Sequence, residues 1–468
     1  MNIDPKRLVW IALACASQCA GADVITIRGG SVWDSAKEAF RSNTTIVIEG
    51  DRIKTVRSGG SGLPRGADVL DARGKYIIPG LIDAHVHVVH VLDFAQVTGD
   101  EVMPLYLAYG VTSLRDTGDF PAAEKLIARY VDRHPELCPR LFLCSFLTDG
   151  DPPYHRDVGF ALTDTAKVDQ YVADMKSWEV STLKLYVGLE RPVGRAVIEA
   201  GHRVGLPVTG HLGKYSAQDA VADGIDCLEH IWSVFNYSFP PGVPGSATQE
   251  EQRTMSPEQV RRRVLERRAN LDLQNPTARA LVQALREHKT AVDPTLIVHR
   301  NMILLNDLSD VKTDPDNDII PARLKKWWTA YRARSALGPD TQELRKQEFA
   351  RYQELTGILY RAGIPLLAGT DAPEPFVPPG ASLHRELELM VGAGMTPAAA
   401  LQSATIQNAR ALRQADKLGT IEEGKLADLV ILDGDPLADI RNTRKIYKVI
   451  RGGIVCDPQA LRNASPKN

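Results

Sequence analysis

The sequence predicts an α/β fold: a (β/α)8 TIM barrel with a small β-sandwich domain built from both chain ends. Three observations predict it. The middle of the chain alternates apolar, strand-like runs with amphipathic stretches, the pattern of βαβ units around a parallel sheet. Eight such runs can be counted, enough for a barrel of about 250 residues plus insertions. The two ends share another texture, short β-branched segments broken by turn-prone residues.

At the N-terminal end those segments are VITIRGGSVWD, TTIVIEGDRIKTVRS and ADVLDARGKYIIPG, punctuated at Asn43, Gly50-Asp51 and Gly74. ADLVILDGD and IYKVIRGGIVCD match them at the other end. The expected organisation is one part of the sandwich over 23–79, the barrel over 80–426 and the other part over 427–468. The eight barrel runs are IDAHVHV (82–88), VTSLRDT (111–117), RLFLCSFL (140–147), TLKLYVG (182–188), LPVTGHL (206–212), DCLEHIW (226–232), TAVDPTLI (290–297) and IPLLAGTD (364–371). Helical stretches such as AKVDQYVADMKSW and TARALVQALREHK separate them. Two insertions, 233–274 and 299–350, follow the sixth and seventh runs at the barrel's catalytic end, where they would form a lid. The first contains RRRVLERR, read as a solvated helix face because Glu266 interrupts it.

Residues 1–22 follow other rules. Lys6 and Arg7 precede an apolar run from Leu8 to Ala16, and Ala20-Gly21-Ala22 puts small residues before a cut at Asp23. That is the layout of a secretory signal peptide, so a periplasmic or secreted protein is expected. A short buried helix or a membrane anchor is the alternative. No other stretch is long and apolar enough to span a bilayer. Of six cysteines, Cys15 and Cys19 would leave with the leader; Cys138, Cys144, Cys227 and Cys456 are too few for a disulfide framework.

Composition excludes classes rather than choosing one. At 44% hydrophobic and 24% charged residues, the 468-residue chain is too apolar to be disordered. Lys+Arg number 56 against Asp+Glu 58, a net charge of −2, which gives no footprint for nucleic acid. The expected partner is a small-molecule substrate, and a homo-oligomer is left open.

The chemistry gathers at strand ends. His85 and His87 are two apart in a strand-like run, so both imidazoles point to one side and can chelate one ion. Lys184 lies in the fourth strand, His211 in the fifth, His230 in the sixth and Asp371 in the eighth. All six sit near C-terminal strand ends, where barrel active sites are built. Desolvation beside cations would expose a neutral Lys184 amine, which can take up CO2 as a carbamate and bridge two ions. Tyr186 is two residues from Lys184 and shares its side of the strand. By the same periodicity Glu229, next to His230, should point away from the metals. Asp83 and Arg115-Asp116 are read as structural hydrogen-bond and ion-pair groups. Lys214 is read as solvated, and His90, His134, His202 and His384 as surface or capping histidines.

PGLIDAHVH, VTSLRDTG, LKLYVG, PVTGHLG, CLEHIW, VDPTL and LLAGTDA resemble, in order, the strand motifs of the metal-dependent amidohydrolase superfamily. The likeness is to its binuclear branch, which includes imidazolonepropionase-like and prolidase-like hydrolases. ELELMVGAGMTPAAALQSATIQNARAL and LGTIEEGKLADLVILDGDPLADI resemble its C-terminal hallmark, and the likeness covers residues 23–457. The resemblance implies two divalent ions, zinc first. His85, His87 and Asp371 would hold a buried ion, His211 and His230 a more exposed one, and carbamylated Lys184 would bridge them. It also implies a bridging hydroxide as nucleophile, with Asp371 moving its proton and Tyr186 or His155 helping to polarise the scissile carbonyl. Mononuclear deaminases of the superfamily carry a glutamate three residues after the strand-5 histidine. Lys214 stands there, which argues against nucleobase deamination.

The leading expectation is an exported hydrolase of amide bonds in small substrates such as dipeptides or N-acyl amino acids. A lactone or phosphotriester hydrolase would use the same site. A non-catalytic barrel acting as a binding module is the reading from another class.

Overall fold

Short β-branched segments from the two chain ends need partners that neither end supplies alone. In the computed structural model they find each other. The structure describes residues 24–59, 64, 66–89, 94–303, 319–335 and 341–465; the leader expected over 1–22, His90 and part of the second insertion lie outside them. The N-terminal strands are β1 (Val24–Asp34), β2 (Ala39–Glu49), β3 (Arg52–Ser58), β4 (Asp68–Asp71) and β5 (Tyr76–Pro79). The C-terminal ones are β15 (Leu429–Leu432), β16 (Ile446–Arg451) and β17 (Ile454–Cys456). They form one mixed sheet in the order β17-β16-β15-β5-β1-β2-β3, with β4 also on β1. The expected sandwich thus takes the form of a single sheet branched at β1. The two chain ends join antiparallel, Pro79 opposite Leu429 and Ile77 opposite Ile431. Period-two alternation then serves two cores. Ile25, Ile27, Ile46, Ile77, Leu429 and Ile431 share a core of their own. Trp33, Ile78, Val430 and Leu432 face the barrel's core instead.

The barrel begins with β6 (Leu81–Val86), β7 (Val111–Asp116) and β8 (Arg140–Phe142), which lie side by side and parallel. It continues through β9 (Cys144–Asp149), β11 (Thr182–Leu185), β12 (Val208–Gly210), β13 (Cys227–Glu229) and β14 (Ala291–Asp293), with the short β10 (Gly159–Ala161) beside β9. The third expected strand is therefore split in two, at Leu143. Every residue of β6, β7, β11, β12, β13 and β14 is buried, which is why these strands read as nearly continuous apolar runs.

The eighth run differs from the expectation. Over 364–371 no regular strand forms; isolated bridges join Leu366 to Val292 and Ala372 to Val86. Backbone bonds from Ala84 N to Ala368 O (3.0 Å) and from Asp371 N to His85 O (2.7 Å) add to them. Side chains complete this seam. Thr370 donates to Asp83 through its N (3.0 Å) and its hydroxyl (2.7 Å), the structural role expected of Asp83. Asn408 donates to Ile82 O (2.7 Å) and Ala368 O (2.9 Å) and accepts from Ala368 N (3.2 Å). A Cβ on Gly369 would stand 2.2 Å from Asp293 Oδ2 and 2.5 Å from His85 Cβ, so only glycine lets the chain pass.

The insertions pack over the barrel's catalytic end. Trp328, on helix Ala322–Ser335, is buried and donates from Nε1 to Pro373 O (3.0 Å), two residues beyond Asp371. In helix Pro257–Ala269, Arg261, Arg262 and Arg263 are exposed, as read from the sequence. Arg268, on the same helix, instead pairs with Glu348 at 2.9 Å and ties the two insertions together. Among the described residues no helix is long and apolar enough to cross a membrane. The four described cysteines are buried, and none of them forms a disulfide with another.

His384 corrects another expectation. It is buried in helix Ala381–Gly392, with Nε2 donating to Tyr109 O (3.0 Å) and Nδ1 bonded to the Thr443 hydroxyl (2.9 Å). Burial first, then Arg444, pushes its pKa down to about 3, so the folded protein holds it neutral. A depressed histidine stabilises the fold above the unfolded pKa of about 6.5, and that stability is lost as pH falls towards the folded value. The melting temperature should therefore drop on acidification below pH 6.5. In His384→Gln the decline should be shallower; parallel melting curves from pH 7.5 to 4.5 would refute the assignment.

Candidate metal centre

β6 delivers His85 and His87 to the C-terminal mouth, and the seam brings Asp371 against them. Asp371 Oδ1 lies 3.4 Å from His85 Nε2 and 3.2 Å from His87 Nε2. One ligand atom from each of these three residues falls within 4.8 Å of the others, the spacing of a single ion's ligands. His85 Nε2 is buried without a hydrogen-bond partner, an orphan that a metal would satisfy. His230 adjoins, its ring centroid 4.6 Å from that of His85 and 4.5 Å from that of His211. The His230 Nδ1 is bonded to the Thr295 hydroxyl (2.8 Å), which leaves Nε2 as its ligand atom. His211 is half-buried at the end of β12, so a second ion held there would be the more accessible one. Lys184, 1% exposed on β11, acts electrostatically on His85, His211 and Asp371. All six residues picked from the sequence therefore converge. Nitrogen and carboxylate donors of this kind suit zinc.

Tyr186 lies just past β11, its ring 5.1 Å from that of His211. His155 stands one ring further out, 5.6 Å from Tyr186 and half-buried. Tyr186 borders the centre at His211, and His155 packs against Tyr186. Lys214 is exposed and pairs with Glu190 at 3.1 Å.

Glu229 does not point away from the metals. It is fully buried and accepts from His85 Nδ1 at 2.8 Å. The period-two argument fails because the strand stops: His230 has φ 63° and Asp371 φ 63°, left-handed values that turn each side chain back over the mouth. Glu229, still on the strand, keeps the inward place that alternation denied it. Arg115 binds Glu229 Oε1 at 2.7 Å and Ala84 O, and lies 3.7 Å from Asp293. Burial opposes ionisation of Glu229, but Arg115, Lys184 and His85 hold its carboxyl well below the usual range. Burial, with the Glu229 charge beside it, pushes Asp293 well up. One guanidinium thus supports one carboxylate. Ionised Glu229 fixes the His85 tautomer and leaves its Nε2 lone pair free to bind an ion.

Asp116 and Asp119 also approach His87. Their carboxylates accept from Val88 N and Val89 N, each at 2.9 Å, and so anchor the chain just after His87. Burial pushes His85 down to about 4 and His211 to about 3, leaving both imidazoles neutral and ready to bind metal at physiological pH. Asp371 remains ionised: burial works against it, but His85 and His87 lower its pKa.

The sequence matches the amidohydrolase family model over residues 76–455. The chain belongs to the amidohydrolase family. Among the amidohydrolases of known structure it resembles a Xaa-Pro dipeptidase with methionine in its active site (TM-score 0.66, 20% identity, 93% of this chain and 100% of that one). It also resembles the bottromycin amidohydrolase AH (TM-score 0.70, 21% identity, 95% and 91%). Adenine deaminase 2 of Rhizobium meliloti is 31% identical over 221 residues, which is 45% of this chain and 35% of the deaminase. The chain therefore spans only about a third of that curated relative.

Glu229 was missed for a local reason. It shares the LEH tripeptide with His230, and alternation pointed the wrong way. Glu229→Gln should lower metal affinity about 10- to 100-fold by releasing the His85 tautomer. Chelator competition would measure this, and an unchanged affinity would remove Glu229 from the centre.

Proposed function

We propose that this amidohydrolase uses two divalent ions, zinc foremost, to hydrolyse amide bonds of small substrates such as dipeptides or N-acyl amino acids. One observation carries the proposal: His85, His87, Lys184, His211, His230 and Asp371 converge on one mouth from the ends of four strands and the irregular 364–372 run, with His85 Nε2 buried and unsatisfied. The Xaa-Pro dipeptidase among its structural relatives supports the dipeptide class. Lys214 in place of a deaminase glutamate disfavours nucleobases.

When bound, the two ions supply a water acidified towards neutrality and a positive charge beside the scissile carbonyl. The rest falls to side chains. His85, His87, His211 and His230 would offer ring nitrogens to the ions. Lys184, as a carbamate, would add oxygen donors to the same centre. Asp371, ionised and beside His85 and His87, accepts the proton of the attacking water and passes it to the leaving amine. Burial, reinforced by Asp371 and Glu374, raises the Tyr186 pKa, so its phenol stays protonated and can donate to the carbonyl oxygen. His155 steadies Tyr186 from its outer face. We also propose export, directed by residues 1–22; mass spectrometry of the secreted protein should find Asp23 first.

Asp371→Asn tests the mechanism, since losing a general base costs about 10²- to 10⁴-fold in kcat. Dipeptide, N-acyl amino acid, lactone and phosphotriester panels should show cleavage of amides first, with two ions per chain in the wild type by elemental analysis. Wild-type rates in Asp371→Asn would sink the mechanism, and esters cleaved ahead of amides would sink the substrate class.

A further inference from the structure

Helix Leu296–Ile303 begins directly after β14 and carries His299 towards the mouth. The His299 ring lies edge-on to His230, 5.5 Å between centroids, and also packs against Tyr352 on helix Gln342–Arg361 at 5.4 Å. Its Nε2 is buried and has no hydrogen-bond partner. Leaving such a nitrogen unsatisfied is unfavourable unless something else occupies it. None of the six residues assigned to the ions needs this nitrogen. Its position is informative. The His211–His230 pair is flanked at both ends, His211 by Tyr186 (5.1 Å) and Trp232 (5.5 Å), and His230 by His299.

We propose that His299 contacts the substrate: Nε2–H donates a hydrogen bond to the oxyanion that develops at the scissile carbonyl, on the His230 side of the centre. The inference rests on the hydrolytic reading above and adds a second oxyanion donor to Tyr186. In the step concerned, the water oxygen bonds to the carbonyl carbon and the C=O π pair moves onto the carbonyl oxygen. The water proton passes to Asp371, and His299 gives up no proton. A tetrahedral anion bound at the mouth should feel the same donor, so inorganic phosphate serves as a probe that needs no knowledge of the substrate.

Two variants separate this role from packing. His299→Phe keeps a ring against Tyr352 but has no donor, and His299→Gln keeps a donor but no ring. In the metal-loaded protein, His299→Phe should bind phosphate about 10-fold more weakly in calorimetry, while His299→Gln stays within about 3-fold of wild type. Both should retain two ions per chain. On an amide that the wild type cleaves, kcat should fall about 10- to 100-fold in His299→Phe with a smaller change in KM. Wild-type phosphate affinity and kcat in His299→Phe would overturn the proposal. So would loss of an ion, which would make His299 a ligand, or equal loss in both variants, which would make its role one of packing. If phosphate binding depends on His299 but no amide is cleaved, the substrate class fails and His299 keeps its role.

Discussion

The rest of the molecule depends on the seam where residues 364–372 meet β6. Elsewhere in the barrel, neighbouring strands are joined by ladders of backbone bonds. Here one isolated bridge, Ala372 to Val86, and a few side chains do that work: Asp83 holds Thr370, and Asn408 clamps Ile82 and Ala368 from below. A regular strand would keep residue 371 in extended geometry. Freed from that ladder, Asp371 adopts φ 63° and leans over His85 and His87. The weakness of the seam as a sheet is what permits the geometry of the site.

A second constraint lies one layer down. Arg115 is a buried cation held by Glu229, Asp293 and a backbone carbonyl. A buried charge is tolerated when it is paired and hydrogen-bonded. Arg115 keeps Glu229 ionised, Glu229 orients His85, and the orientation of His85 decides which nitrogen faces the ion. The chain of cause runs from β7 through β13 to β6, across the barrel interior. Replacing Arg115 would thus be felt at an ion it never touches.

Most of the site was legible in the sequence because its residues sit at strand ends with recognisable spacing. HxH in an apolar run, a lysine in the fourth strand, histidines closing the fifth and sixth, and GTD closing the eighth all survive as local patterns. The sheet domain was legible too, since β-branched texture marks both ends. Glu229 was not, because left-handed turns at His230 and Asp371 break the alternation on which the reading relied. His299 was not, because it lies in an insertion where nothing repeats; only the fold sets it beside His230. The eighth strand was counted from its apolar run, and that run cannot reveal that side chains would replace its ladder.

The antiparallel joint of β5 with β15 also has a consequence in time. Pro79 pairs with Leu429, so one partner leaves the ribosome long before the other exists. Until the last segment is synthesised, the β5 side of the nascent sheet is an open edge, able to recruit strands from other chains. Such a chain needs a chaperone, or a slow approach to its final fold, more than its compact product suggests.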